Sequence, residues 1–403
     1  MKEPNKPKKK AKWIKRRHAV VQWLARGILR PYIRIFYGLR PEPFRDKRQC
    51  LVLMNHVTAF DQFFVSLSLR RNVYYVASED LFSKGWLSRL ITFLVAPIPI
   101  RKSMTDARAV LTCMRAAREG ATIAMAPEGN RTYSGRTGHI NPSVAPLCRA
   151  LKLPVALYVI DGGFGVHPRF SDVLRRGKMS ARVSRVIEPE EYASMTDNEL
   201  YELICRELYT DEATDTRRFY HARRAEFLER ALYYCPTCGA SRLKSHDAEI
   251  ACTGCGMRVL YNEDTTLTGV GFDFPYRYIA DWYEAQCDYI RTLDLSPYHE
   301  TPLFTDKTGL YEVIPYKNKR TIAQDGEIAV FDDRYLLSYG GERTVIPFSE
   351  VLAVTVLGRN KLNIYVGATI TQIKADKRFN ALKYMNVYYR QKEGNDNAEF
   401  LGI

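Results

Sequence analysis

No apolar run in the chain approaches the roughly 20 residues that a membrane-spanning helix needs. The longest candidate, FLVAPIPI at 93–100, is too short and contains two prolines. The N-terminus also lacks the apolar stretch and small-residue cleavage site of a secretory signal. There is no GxSxG elbow, no serine in a triad-like setting and no GK[ST] of a Walker loop. A serine-nucleophile hydrolase and a P-loop nucleotidase are therefore excluded as readings. Acidic residues are nearly missing from the first 40 positions, where Glu3 stands against thirteen Lys or Arg. That segment carries +12 of the formal +15, so the remaining 363 residues are almost balanced at +3. The basic, partner-seeking surface is the N-terminus. Nucleic acid is not an expected partner of so neutral a body.

Disulfide-style cysteine usage is missing as well. Of nine cysteines, four sit in two CxxC pairs. The other five (Cys50, Cys113, Cys148, Cys205, Cys287) lie singly in apolar or helical surroundings. This pattern suits a reducing cytoplasm, with the lone cysteines as small core residues.

What is present divides the 403 residues into several units. Residues 1–40 form a lysine-rich tail and then a basic amphipathic helix. Ile14, Val21, Leu24 and Ile28 fall on one side of it, flanked by Trp13 and Val20, and Pro31 ends or kinks it. Such a helix either lies on an anionic membrane surface, where each cation gains about 1 kcal/mol, or docks on the body by its apolar stripe. Residues 41–215 alternate short apolar strands (51–55, 73–78, 96–100, 122–126, 154–160) with helical patterns (59–70, 86–94, 104–118, 142–151). That rhythm predicts an α/β domain with a mostly parallel sheet, to which 178–187 adds a further strand. Residues 196–232 read as polar helix, so 216–234 is expected to be a helical linker. Residues 235–262 are the cysteine unit, and 263–300 a linker containing a helix over 277–293. From 301 to 403, closely spaced strands followed by one helix predict a small β-barrel or sandwich capped by that helix.

Cys235, Cys238, Cys252 and Cys255 predict a four-cysteine zinc ribbon. Each CxxC brings two thiolates to one ion, Gly239 and Gly256 suit the knuckle turns, and thirteen residues between the pairs is hairpin length. No carboxylate or open ligand position accompanies them, so the zinc is structural. His246 is surplus to the four.

NHVTAFD, residues 55–61, follows one apolar strand and precedes another apolar run. Thr58 and Asp61 at a three-residue spacing fit a capping box, with His56 as a loop residue. The same turn can also bring Asp61 to one imidazole nitrogen of His56, fixing the tautomer and leaving the other nitrogen as a general base. Strand ends are where α/β proteins carry chemistry, and the two readings are compatible. With no GxSxG elbow and no triad-like serine in the chain, a substrate hydroxyl is favoured over a side chain of the protein as the group to deprotonate. A second strand end carries APEGNRTYSG, 126–135, in which Gly129 and Gly135 open the loop while Arg131 and the following Arg136 offer phosphate-binding charge. A third, PIPIRK, supplies Arg101 and Lys102.

Taken together, these three clusters resemble the glycerolipid acyltransferase family, typified by lysophosphatidic acid acyltransferase. Asn55, His56 and Asp61 match its hallmark histidine–four residues–aspartate block. PEGNR matches its glutamate–glycine block, PIPIRK its arginine block, and LPVALYVI with Pro154 its closing apolar block. Two positions depart from the pattern: Ile100 stands where an acidic residue is common, and Asn130 where threonine is. The segment from 301 is similar, more weakly, to PH or GRAM domains.

The resemblance implies His56 as base and Asp61 as its orienting partner. It implies Arg101, Glu128, Gly129, Asn130 and Arg131 as the acceptor-binding residues: the two arginines on the phosphate, Glu128 and Gly129 shaping the loop, and Glu128 also placed to hold an arginine or a substrate hydroxyl. The implied reaction moves a fatty acyl group from acyl-CoA or acyl carrier protein to the hydroxyl of a lysophospholipid, 1-acylglycerol 3-phosphate giving phosphatidate. The implied setting is the inner face of the membrane, peripherally attached. The alternative from another class is a non-catalytic zinc-ribbon adaptor for lipid or nucleic acid, built on an inactive acyltransferase core.

Overall fold

The computed structural model describes residues 12–100, 107–314 and 317–393. The lysine-rich tail before Lys12 lies outside the described residues.

The first body of the chain contains α1 (Arg16–Phe36), β1 (Leu51–Met54), α2 (Asp61–Ser68), β2 (Val73–Ser78), α3 (Trp86–Val95), β3 (Ile98–Ile100) and α4 (Ala107–Arg118). It continues through β4 (Thr122–Met125), α5 (Val144–Leu151), β5 (Val155–Asp161), α6 (Gly163–Val166), β6 (Ser180–Ile187), α7 (Pro189–Ala193) and α8 (Asp197–Leu208). The sheet runs β3-β2-β4-β1-β5-β6. All neighbours are parallel except β5 and β6. The strands read as unbroken apolar runs because both faces are covered. Val52, Met54, Ala124 and Tyr158 point to one core, together with Phe64 of α2. Leu51, Leu53, Ile123 and Leu157 point to the other, against Cys113 of α4, Cys148 of α5 and Ile204 of α8. The first strand lies at the centre, flanked by β4 and β5, so the strand order reverses there. The crevice beyond their carboxyl ends is the place such sheets bind ligands.

Helix α1 corrects one expectation. It runs on through Pro31 to Phe36, and its docked side is not its apolar stripe. His18, Gln22 and Ile33 are buried, while Val20, Leu24 and Ile28 face outward with Trp23. Gln22 explains this choice of face: its side-chain amide exchanges two hydrogen bonds with the Val73 backbone, at 3.0 and 2.9 Å. The outer face continues onto α3, where Trp86, Leu87, Leu90 and Phe93 are exposed. Arg17 joins the two helices, its Nε donating to Phe93 O at 2.8 Å.

The expected helix through 216–232 is not formed. Beyond α8 the chain is irregular, with only a 3-10 turn at Leu228–Arg230. Its backbone donors are drawn outward instead of to their own helix: Phe219 N donates to Glu263 O at 2.7 Å and Ala225 N to Asp247 O at 2.7 Å. Phe219 packs onto Gly165 and Gly177, where an added Cβ would meet its ring at 2.2 Å. The segment is a strap over the first body.

A four-stranded antiparallel sheet follows, β7 (Leu243–His246), β8 (Glu249–Cys252), β9 (Arg258–Tyr261) and β10 (Leu267–Gly269), in the order β10-β9-β8-β7. After α9 (Ile279–Thr292) come β11 (Phe304–Glu312), β12 (Arg320–Val330), β13 (Arg334–Tyr339), β14 (Glu342–Pro347), β15 (Val351–Leu357), β16 (Lys361–Val366) and β17 (Thr369–Lys374). They form one antiparallel sheet in the order β14-β13-β12-β11-β17-β16-β15. The closing helix α10 (Leu382–Glu393) packs onto it, Tyr388 edge-on to Phe348 and the Tyr335 hydroxyl donating to Tyr384 O at 2.8 Å. The C-terminal region is thus β-rich with a terminal helix.

Candidate active site

The turn after β1 is built around Asp61, which is fully buried at the start of α2. One carboxylate oxygen, Oδ2, accepts from Val57 N and lies 2.8 Å from His56 Nδ1. The other, Oδ1, accepts from Thr58 N at 3.0 Å and from the Thr58 hydroxyl at 2.6 Å. Phe60 N in turn donates to Thr58 Oγ1 at 3.0 Å. Phe60, not Thr58, is the N-cap residue, so the capping reading is modified: Thr58 holds the turn and aims the carboxylate. A buried carboxylate at Nδ1 places the imidazole proton there and makes Nε2 the basic nitrogen. The His56 side chain is 25% exposed, so solvent and substrate reach the ring.

Glu128 follows β4 and ties this turn to its neighbour. Its two oxygens accept from His56 N at 2.6 Å and from Gly138 N at 2.8 Å. Burial pushes its carboxyl up to about 8, against the pull of those two amides. It is a backbone brace, and among the described residues it pairs with no arginine. Thr132 N adds a second tie, donating to His56 O at 3.1 Å. Gly129 has a φ of +68°, in the left-handed region, which a side chain would strain. Asn55 stitches β1 to β5 by a reciprocal pair with Ile160, both bonds 2.8 Å.

Arg131 is drawn down to about 10, chiefly by burial and next by Arg169, and it feels the charge of Asp61. Its chain neighbour Thr132 is bonded to the His56 carbonyl, so Arg131 lies on the loop beside the His56–Asp61 turn. The side chain of Asn130 lies near Arg169, 3.5 Å from Nη2. Arg136 is committed elsewhere, ion-paired with Asp211 at 3.0 Å and with Glu284. Arg101 and Lys102 lie outside the described residues.

Sequence reasoning missed the third loop of this crevice, the one after β5. His167 and Arg169 sit there, with the Tyr37 hydroxyl 3.0 Å from His167 Nδ1. Burial, then Arg131 and Arg359, hold His167 neutral down to about 4. HPRF lies beyond the end of β5, just after the short helix α6, so the strand-end rule points to it only through that intervening turn.

The four cysteine sulfurs all lie within 4.8 Å of one another. Cys235–Cys255 and Cys238–Cys252 are each 3.7 Å apart. Four thiolates about 2.3 Å from a tetrahedral ion stand roughly 3.8 Å apart, so the set fits zinc and is too wide for disulfides. His246 is exposed and stays out of it.

Residues 39–160 match the Acyltransferase family model. Residues 229–266 match a zinc-ribbon model described as DNA directed RNA polymerase, 7 kDa subunit. No curated protein matches the chain. One similar solved structure is the 1-acyl-sn-glycerophosphate (LPA) acyltransferase PlsC from Thermotoga maritima. It is 18% identical, covers 47% of this chain and 83% of that one, and gives a TM-score of 0.37. The acyltransferase match spans the loops that carry His56, Asp61 and Glu128–Arg131.

Proposed function

We propose that the chain, which carries an acyltransferase domain and a zinc ribbon, is a peripheral membrane O-acyltransferase acting on a lysophospholipid, with 1-acylglycerol 3-phosphate as acceptor. The observation that carries this reading is the His56–Asp61 pair: a buried carboxylate locked by backbone and hydroxyl donors, oriented on Nδ1 of a solvent-accessible imidazole. His56 Nε2 takes the proton of the acceptor hydroxyl as its oxygen attacks the carbonyl of a fatty acyl thioester, from acyl-CoA or acyl carrier protein. The tetrahedral intermediate collapses with cleavage of the C–S bond. The departing thiolate receives the proton from the imidazolium, and the base is restored. Arg131 holds the acceptor phosphate, and Glu128 and Gly129 keep its loop in place. Zinc in the ribbon is structural.

The outward face of α1 and α3 supports membrane attachment. Trp23, Ile28 and Trp86 are 70%, 73% and 72% exposed, and Arg16, Arg30 and Arg34 border the stripe. No helix among the described residues is long and apolar enough to cross a membrane. This face lies against the site: Tyr32 of α1 stacks on Phe60 of the catalytic turn, centroids 5.6 Å apart. The arrangement suits an anionic leaflet such as the inner face of the membrane, where the acceptor resides. For the C-terminal region, the two antiparallel meanders joined through β11 and β17, with one terminal helix, support a PH-like reading.

The test is transfer itself. Purified protein on anionic vesicles, given labelled acyl-CoA and lysophosphatidate, should form phosphatidate. A protein that binds the vesicles but leaves both substrates unchanged would overturn the reading and favour the adaptor.

A further inference from the structure

The turn between β15 and β16, residues 358–360, is held inside the crevice of the first body. Arg169 is the clamp. Its Nε donates to Gly358 O at 2.8 Å, Nη2 to Val356 O at 2.7 Å and Nη1 to Arg131 O at 2.7 Å. Its guanidinium lies 4.1 Å over the Tyr133 ring, and the Tyr133 hydroxyl donates to Arg359 O at 2.5 Å. One cation therefore binds the C-terminal sheet to the PEGNR loop. All three of its nitrogens are spent on carbonyls, so Arg169 has little left for a ligand.

The clamp delivers Arg359 to the site. Its Nη2 lies 3.4 Å from His167 Nε2, and its Nη1 pairs with Asp172 at 3.2 Å. Asp172 is shared with Arg230, 2.7 Å away. Arg169 bonds the carbonyls of both Arg131 and Gly358, and Tyr133 that of Arg359, so Arg131 and Arg359 share one neighbourhood although they come from different domains, and both charges bear on His167. The charges there do not balance. Arg131, Arg169, Arg230 and Arg359 face Asp61 and Asp172, and Asp61 is already bound to His56. Arg131 Nη1 and Arg359 Nε are enclosed with no hydrogen-bond partner among the described residues. Enclosed donor nitrogens left without an acceptor are costly, and a dianion with three oxygens would satisfy them.

We propose that Arg359 of the C-terminal domain joins Arg131 in a single phosphate-binding site beside the His56–Asp61 pair, so that both domains hold the acceptor's phosphomonoester. The identity of that ligand as the acceptor rests on the function proposed above. The C-terminal sheet is then part of the active site, and acceptor phosphate ties it to the catalytic domain.

Calorimetric titration of the full chain with glycerol 3-phosphate tests this. Arg359→Ala and Arg131→Ala should each weaken binding roughly 10- to 100-fold, the worth of a charge-assisted pair. Arg320→Ala, an exposed arginine of the same sheet, should leave it unchanged. Asp172→Asn breaks the Arg359 ion pair but keeps the guanidinium, and should still bind. If Asp172→Asn loses binding as fully as Arg359→Ala, the effect is structural and the site is refuted. Unchanged binding by Arg359→Ala, or no binding by the parent protein, refutes it as well. Titration with coenzyme A separates the sources: a loss confined to coenzyme A would move Arg359 to the donor and overturn the acceptor assignment. The two readings fail separately. Phosphate binding that depends on Arg359 in a protein without transfer activity keeps this site and sinks the function. Transfer with an unchanged acceptor KM in Arg359→Ala does the reverse.

Discussion

Replacing Asp61 by asparagine changes one atom and should remove most of the activity. In the parent protein Oδ2 accepts from the imidazole, from Val57 N and, at 3.1 Å, from Thr58 N, while Oδ1 accepts from Thr58 N and the Thr58 hydroxyl. An asparagine keeps one accepting oxygen. With its NH2 at the Oδ2 position, it faces Nδ1–H, so the imidazole must flip its proton to Nε2 and loses its basic nitrogen. With NH2 at Oδ1, the threonine hydroxyl can turn to accept, but the amide nitrogen faces Thr58 N–H, which keeps only its longer bond of 3.1 Å to Oδ2. Either way a buried backbone N–H is set against the new NH2 and its hydrogen bonding is lost or weakened, at about 1–3 kcal/mol. A His–carboxylate pair with the wrong tautomer loses up to roughly 10⁴-fold in turnover in the serine-protease case. A fall of about 10³- to 10⁴-fold in kcat is expected here, with donor KM within a few-fold and a modest drop in Tm. Single-turnover transfer under saturating substrates, with parallel urea unfolding, reads both numbers. A folded Asp61→Asn protein retaining kcat within tenfold would refute the view that Asp61 sets the tautomer of His56.

Other outcomes follow from the same geometry. His167 is held neutral down to about 4 against an ordinary value of 6.5. The unfolded chain therefore takes up a proton between those values that the folded chain refuses, and stability falls as pH drops from 6.5 toward 4, by at most about 3 kcal/mol. Urea unfolding at pH 7 and 4.5 should show that loss in the parent protein and less of it in His167→Gln; equal losses would contradict the assignment. Trp23→Glu with Ile28→Glu should sharply reduce co-sedimentation with anionic vesicles while leaving Tm nearly unchanged, since both side chains are exposed; undiminished binding would remove α1 from the membrane face. Metal analysis should find one zinc per chain in the parent protein and none in Cys235→Ser. Because Cys235, Ile250 and Tyr261 belong to the main core, that variant should also unfold several degrees lower.

What could be read from the residues was local. The strands of the first body are short apolar runs bounded by turns, and the His56–Asp61 contact spans five residues within one turn, so both follow from spacing. The cysteine pairs fix their own geometry in the same way. What could not be read depended on distant partners. Glu128 was expected to hold an arginine or a substrate group, but its partners are two backbone N–H groups, one of them from the histidine turn. Periodicity gave α1 an apolar stripe without saying which side docks, and Gln22, by bonding Val73 on both its donor and acceptor atoms, turned that stripe outward. RRAEFLERAL has helical composition, yet Ala225 N is claimed by Asp247 of the ribbon hairpin, Phe227 takes a left-handed φ of +69°, and just upstream Phe219 is seated on two glycines. Arg359 lies in an ordinary hairpin turn, and only the fold brings it to Arg131.

The catalytic role of His56 is tested most directly by the rate of phosphatidate formation from acyl-CoA and lysophosphatidate by the parent protein and by His56→Ala, at equal folded concentration on anionic vesicles. The account predicts clear turnover by the parent protein and a fall of roughly 10²- to 10⁴-fold on loss of the imidazole, with Tm preserved because the ring is partly exposed. Equal rates in the two proteins would contradict it.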